Sequence, residues 1–196
     1  MKHDTIDVIR TAMEKESQAV ALLAQSIDPA EYEKAVDILL ASSMTVTSAC
    51  GSSGFTAKKF AHALCCIEHP AKFVSPAEAV HGGMGALQPG NALILVSKGG
   101  RTDELLPLAS IAKKKQAKLI VITANAESVL ARDADALLLL PDFPESDRYG
   151  VMSTTSFATT MAIFDALMVA LMEEKDYQLS EFALIHPGGA VGKNIN

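Results

Sequence analysis

The sequence has no tryptophan, only 5% aromatic residues and three cysteines among 196 residues. Cys50, Cys65 and Cys66 are odd in number and contain no CxxC, and the vicinal pair is too close for an ordinary bridge. A disulfide-stapled scaffold is therefore excluded, and reduced, buried thiols are expected. Positive charge is not in excess: 17 Lys and Arg against 23 Asp and Glu give a net charge of −6. That balance argues against nucleic acid as a partner, and the lysine clusters at 58–59 and 113–115 read as solvated helix faces. No apolar run approaches the ~18 residues of a membrane span. The opening Met1-Lys2-His3-Asp4 leads into a charged amphipathic segment rather than a secretory apolar region, so a cytoplasmic protein without a membrane partner is expected. Repeats, low-complexity tracts and long linkers are also missing. What is present is 49% apolar residues, enough to bury a core as a single domain over 1–196.

Within that domain the N-terminal 43 residues read as helical. Ile6, Ile9, Met13, Val20, Leu23 and Ile27 recur at close to helical spacing. Asp28-Pro29-Ala30-Glu31 then places a capping acid, a first-position proline and a glutamate where a second helix, 30–41, restarts. From 44 to 175 the pattern changes to short apolar runs at 44–50, 71–74, 91–97, 118–123 and 136–140, separated by helical stretches. Continuous apolar strands alternating with helices indicate a parallel sheet covered on both faces, because each parallel strand needs a crossover. The fold class is α/β, doubly wound. A last long helix is expected from Ser153 to Glu173; its stretch 161–172 is apolar on nearly every side and needs burial against the sheet or another subunit. Residues 176–196 make up a C-terminal helix and a glycine-rich tail.

In such a sheet the ligand belongs at the carboxyl ends of the strands. Three hydroxyl- and glycine-rich turns fall there: Cys50-Gly51-Ser52-Ser53-Gly54, with a helix from about Phe55; Ser97-Lys98-Gly99-Gly100-Arg101-Thr102, with Asp103-Glu104-Leu105 opening a helix; and Ser153-Thr154-Thr155-Ser156. Each leads into a helix N-terminus, where free N–H groups and the positive dipole end favour an anion. One such turn alone is equally what a capped helix looks like; three at one edge point to phosphate. The dinucleotide fingerprint is not met, since the first glycine of GxGxxG is absent and the second strand ends in Ser75. The Walker pattern fails because Phe55-Thr56 follow Gly54.

Three further residues carry possible acid–base chemistry. Glu127 follows the fourth strand and suits a base on a carbon acid, or simply a helix N-terminus. His81 sits where a Ser75-Pro76-Ala77-Glu78 capped helix breaks at Gly82-Gly83. His186 opens the glycine-rich tail, an odd place for a core histidine.

Three stretches resemble a known family: Pro76-Ala-Glu-Ala-Val-His-Gly82, the Ser97-x-x-Gly100-x-Thr102 turn, and the close Phe182-Ala-Leu-Ile-His-Pro-Gly-Gly-Ala-Val-Gly192. On these the chain is similar to sugar isomerase (SIS) domain proteins and, within them, to the arabinose-5-phosphate isomerases. The resemblance implies a three-layer αβα sandwich on a five-stranded parallel sheet (flavodoxin-like), and a homotetramer with shared active sites. It further implies aldose–ketose isomerisation of a phosphosugar with no cofactor and no metal. Carried over, phosphate-binding hydroxyls fall on Ser53, Ser97 and Thr102, with Thr155-Ser156 beside them, and Gly51, Ser52, Lys98, Gly100 and Arg101 complete the substrate-binding set. The catalytic acid falls on Glu127, and the histidines on His81 and His186, the latter often given to a neighbouring subunit. The implied chemistry is removal of a proton beside the carbonyl by Glu127 or a histidine, with His186 moving protons between oxygens, through a cis-enediol(ate).

This sequence departs from the family at three positions: Ser52 stands in place of a lysine, Arg101 in place of an acid, and Gly83 in place of an aspartate. Arg101 and Lys98 offer replacement positive charge. The family's tandem CBS domains are not expected, since ten residues follow His186. An alternative reading, motivated by Ser52 and Arg101, is a phosphosugar-binding sensor without turnover.

Overall fold

A computed structural model of the chain describes residues 4–188. The five apolar runs become five strands, β1 (Thr45–Ala49), β2 (Ala71–Phe73), β3 (Ala92–Val96), β4 (Lys118–Thr123) and β5 (Ala136–Leu139). They form one parallel sheet in the order β2-β1-β3-β4-β5. The chain leaves β1 towards one edge and returns to β3 on the other side, so the order reverses between β1 and β3 and their carboxyl ends diverge into a crevice.

Alternation along the strands feeds two cores. Ala92, Ile94 and Val96 of β3 point into a layer with Leu39, Phe60, Phe164 and Leu167, while Leu93 and Leu95 face Met84, Leu105 and Leu108. The first layer is built by α2 (Pro29–Ala41), α3 (Gly51–Cys65) and α7 (Thr155–Glu174), with α1 (Thr5–Gln25) against α7. The rings of Phe60 and Phe164 stack with centroids 4.3 Å apart, joining α3 to α7. The second layer holds α4 (Pro76–Ala79), α5 (Leu106–Lys114) and α6 (Val129–Arg132); α8 (Leu179–Ile185) follows α7.

The capping expectations hold with one difference. Asp28 accepts from the Ala30 N–H, with Pro29 in the first turn. Glu31, however, does not turn back to the cap. It receives Lys34 Nζ at 2.6 Å and the β5 N–H of Leu137 at 2.7 Å, and so satisfies a donor on the sheet's edge strand. Ser75 accepts from the Glu78 N–H at 3.3 Å. α4 ends at Ala79, and the chain then turns at Gly82, with φ +105°, and at Gly83, where a Cβ would lie 2.8 Å from both Glu78 O and Val74 Cγ1.

Three expectations are corrected. α3 begins at Gly51, not Phe55, so Gly51, Ser52 and Ser53 are its first turn rather than a loop, with Cys50 extended as the N-cap. α5 begins only at Leu106, because Asp103–Leu105 close a turn through Leu105 N–H to Thr102 O at 2.9 Å. The three thiols are unpaired, but none is buried, and Cys65 at the end of α3 is exposed. By length and composition α7 alone qualifies as a membrane span among the described residues, yet Ile163, Phe164, Leu167 and Leu171 pack in the core while Val169 stays half-exposed. The tail beyond Gly188 lies outside the described residues.

α7 runs back along the sheet, from the carboxyl edge to the opposite one. There His69, 2% exposed, places Nε2 2.8 Å from Thr45 Oγ1 at the start of β1, and Lys175 Nζ lies 3.4 Å from its Nδ1. Burial, then the Lys175 charge, lowers the His69 pKa from 6.5 to about 4. The native state therefore holds His69 neutral while the unfolded chain binds its proton. The stability this confers is complete above pH 6.5 and is lost as pH falls towards 4, on the order of 3 kcal/mol in the limit. Urea unfolding at stepped pH should show this loss in the wild-type protein and a flatter profile in His69→Gln.

Candidate functional site

The turn after β3 folds on itself. Ser97 Oγ lies 2.8 Å from Thr102 Oγ1 and accepts from the Gly100 N–H at 3.0 Å, and Thr123 Oγ1 at the end of β4 donates to the Lys98 carbonyl at 3.0 Å. Gly100 has φ +66°, and a Cβ there would sit 2.0 Å from Ser128 Oγ. Only glycine lets the turns after β3 and β4 meet this closely. Ser97, Lys98, Gly100 and Thr102 are thus brought into one small turn. Ala49 pairs with Val96 in the adjacent strand, so the first turn of α3, Gly51 to Ser53, faces the same crevice. That turn has no side-chain cap and no acidic residue, leaving its first N–H groups available to an anion.

The third predicted turn is already occupied. Glu145, in the loop after β5, is 4% exposed and lies at the start of α7. Its carboxylate receives Lys98 Nζ at 2.6 Å, the N–H groups of Thr154 (2.9 Å) and Ser156 (3.1 Å), and the hydroxyls of Thr154 (3.1 Å) and Thr155 (3.0 Å). Burial alone raises its pKa, but the hydrogen bonds from Lys98, Ser156 and Thr154 outweigh it and hold the carboxyl well below the usual range. Thr155 and Ser156 therefore bind an internal anion, and Lys98 is neutralised by it.

Beside the α3 turn a cavity of about 340 Å³ is lined by Cys50, Gly51, Phe55, Lys58, Ser75 and Glu104 among others. Burial and the nearby Glu104 charge raise the Cys50 thiol pKa. The remaining predicted groups are dispersed. Glu127 is exposed, one residue before Ser128, with its backbone N–H bonded to Asn125 Oδ1 at 3.0 Å. His81 is exposed at the end of α4, and Arg101 is exposed on the turn after β3. His186 caps α8, with its ring stacked 3.7 Å from Phe182 and Nδ1 2.9 Å from the Phe182 carbonyl. The twenty residues of α7 span about 30 Å. α8 starts at the opposite edge, where Tyr177 donates to the Cys66 carbonyl, and its seven residues are too few to return His186 to this chain's crevice.

Sequence reading misses Glu145, Glu104 and Lys58. The rule about strand ends that points to the other turns extends equally to the loop after β5, and with it to Glu145. Nothing in the sequence distinguishes Glu104 from a helix-opening acid or Lys58 from a surface lysine.

Residues 38–170 match the SIS domain family. The chain is 34% identical over 191 residues to arabinose 5-phosphate isomerase KpsF of Escherichia coli, covering 97% of this chain and 58% of that protein. It is 33% identical over 184 residues to arabinose 5-phosphate isomerase KdsD of Francisella tularensis, covering 92% of this chain and 56% of that protein. The chain thus spans somewhat over half the length of these curated relatives. Among solved structures, a Listeria monocytogenes protein provisionally assigned as a sugar-phosphate isomerase superposes with a TM-score of 0.91 at 37% identity, over 95% of this chain and all of that one. An Escherichia coli CFT073 protein in complex with arabinose 5-phosphate superposes at 0.86 with 29% identity, over 94% of this chain and all of that one.

Removing the internal anion leaves two N–H groups and the Lys98 ammonium without their partner. Glu145→Ala should lower the free energy of unfolding by about 3 kcal/mol, with Glu145→Gln intermediate, both read by urea titration at pH 7. A Glu145→Ala protein as stable as wild type would show that the carboxylate does not hold the start of α7.

Proposed function

The chain belongs to the SIS-domain family, and on that premise we propose that it is an aldose–ketose isomerase of a phosphosugar, of arabinose 5-phosphate with ribulose 5-phosphate or a related pair. The observation that carries this reading is the joint placement at one sheet edge of the Ser97–Thr102 turn, the uncapped start of α3 and a cavity holding a carboxylate. The phosphate is anchored by the Ser97 and Thr102 hydroxyls, the Gly51–Ser53 turn and the Arg101 guanidinium. Thr155 and Ser156 contribute by holding Glu145, and with it Lys98, rather than by direct contact. Anchoring the phosphate fixes the sugar chain in the crevice and supplies the orientation on which proton transfer depends.

Chemistry then needs two proton movements. A base takes the proton from the carbon next to the aldose carbonyl, giving a cis-enediolate, and the proton returns to the former carbonyl carbon; a second group carries a proton from one oxygen to the other. Glu127 on the rim and Glu104 in the cavity are the carboxylates available for the first step. His81 and His186 are the groups for the second. We place His186 in the crevice of a neighbouring subunit, because α7 and α8 leave it far from its own; the assembly is then a homotetramer with shared sites in the cytoplasm.

Proton NMR in D₂O with ribulose 5-phosphate should show an aldose signal with solvent deuterium at the carbon beside the carbonyl. Glu127→Gln, Glu104→Gln and His186→Ala are each expected to keep phosphosugar binding, and loss of the base should cost roughly 10²–10⁴-fold in kcat. A silent wild-type protein whose fold is nonetheless stabilised by a phosphosugar would replace the enzyme with the sensor that Ser52 and Arg101 first suggested.

A further inference from the structure

The cavity beside the start of α3 carries more recognition chemistry than a phosphate uses. Gly51, Gly54, Phe55 and Lys58 line it from α3 at spacings of i, i+3, i+4 and i+7, so a single face of the helix forms the wall. Gly54 keeps that wall close to the sheet, since a Cβ there would meet the Ala49 carbonyl at 3.0 Å. Lys58 Nζ lies 5.0 Å from the centre of the Phe73 ring and 5.5 Å from that of Phe55, within range of a cation–π attraction to both. Its neighbour Lys59 is committed to Asp165, whereas Lys58 forms no ion pair among the described residues. Phe55 is 66% exposed, an apolar residue left open on the cavity's rim. On the side of the turn after β3 stands Glu104, close enough to Cys50 to raise its thiol pKa.

The cavity thus offers a group that only donates, a group that only accepts and an aromatic face. Hydroxyls on neighbouring carbons both donate and accept, and the C–H face of a sugar suits a ring. A second anion would gain from Lys58 but be opposed by Glu104. We infer that Lys58 is a specificity-determining residue that binds the hydroxyl-bearing end of the substrate, away from the phosphate, with Phe55 flanking it. This inference rests on the phosphosugar reading above.

Calorimetric titration of wild type, Lys58→Met and Lys58→Arg with arabinose 5-phosphate, ribulose 5-phosphate and inorganic phosphate tests it. Lys58→Met keeps the apolar stem and removes the donor, so the tightest phosphosugar should bind about 10-fold or more weakly, as expected for losing a charged hydrogen bond. Inorganic phosphate affinity should be unchanged, the thermal midpoint should fall only slightly with the loss of the two cation–π contacts, and Lys58→Arg should recover part of both losses. A Lys58→Met protein that binds the phosphosugar like wild type, or that loses phosphate and phosphosugar equally, overturns the inference while leaving the phosphosugar reading in place. A wild-type protein that binds none of the three ligands overturns that reading and this inference with it.

Discussion

A buried carboxylate fixes the sheet edge at which the candidate site lies. Glu145 sits at the start of α7, accepts from two backbone N–H groups and two threonine hydroxyls, and draws in Lys98 from the turn after β3. An ionised group so far from water is tolerable only because each oxygen is hydrogen-bonded and a cation stands beside it. In return it joins three segments distant in sequence: the loop after β5, the helix that closes the first core, and the turn with the Ser97 and Thr102 hydroxyls. The geometry of that turn is inherited from this anchoring as much as from its own hydrogen bonds.

The turn is confined from the other side by a steric contact. Gly100 admits Ser128 so closely that no side chain fits between them, which sets the turns after β3 and β4 as one unit. Electrostatics on one flank and close packing on the other leave few positions for the Ser97 and Thr102 hydroxyls, to which the proposed function gives the phosphate. This is preorganisation in the ordinary sense: dipoles held in place before the ligand arrives do not have to be ordered by it.

The fold was largely legible in the sequence because it rests on patterns that survive without coordinates. Apolar runs of strand length, the proline and aspartate at 28–29, and the paired glycines at 82–83 each specify local geometry, and the elements appear within a few residues of the expected bounds. The Ser97–Thr102 turn was legible for the same reason, since a rule about strand ends located it. The charges were not. That Glu145 fills the α7 anion site, that Glu104 enters a cavity and that Lys58 lies over two rings are outcomes of how helices and loops approach in space. His186 shows the converse: its motif marks it, while the course of α7 and α8 carries it away from its own crevice.

Glu31, which leaves its helix cap to receive the Leu137 N–H, has a consequence beyond α2. An outer strand with unpaired N–H groups is a template on which another chain can extend the sheet. On β5 that template is interrupted by a carboxylate, and on the far side β2 is only three residues long. Both margins are thereby poor templates for extension. Exposed Ile6, Ile9 and Met13 of α1 put apolar surface on the helical layer instead, and extension of the sheet from either margin is disfavoured.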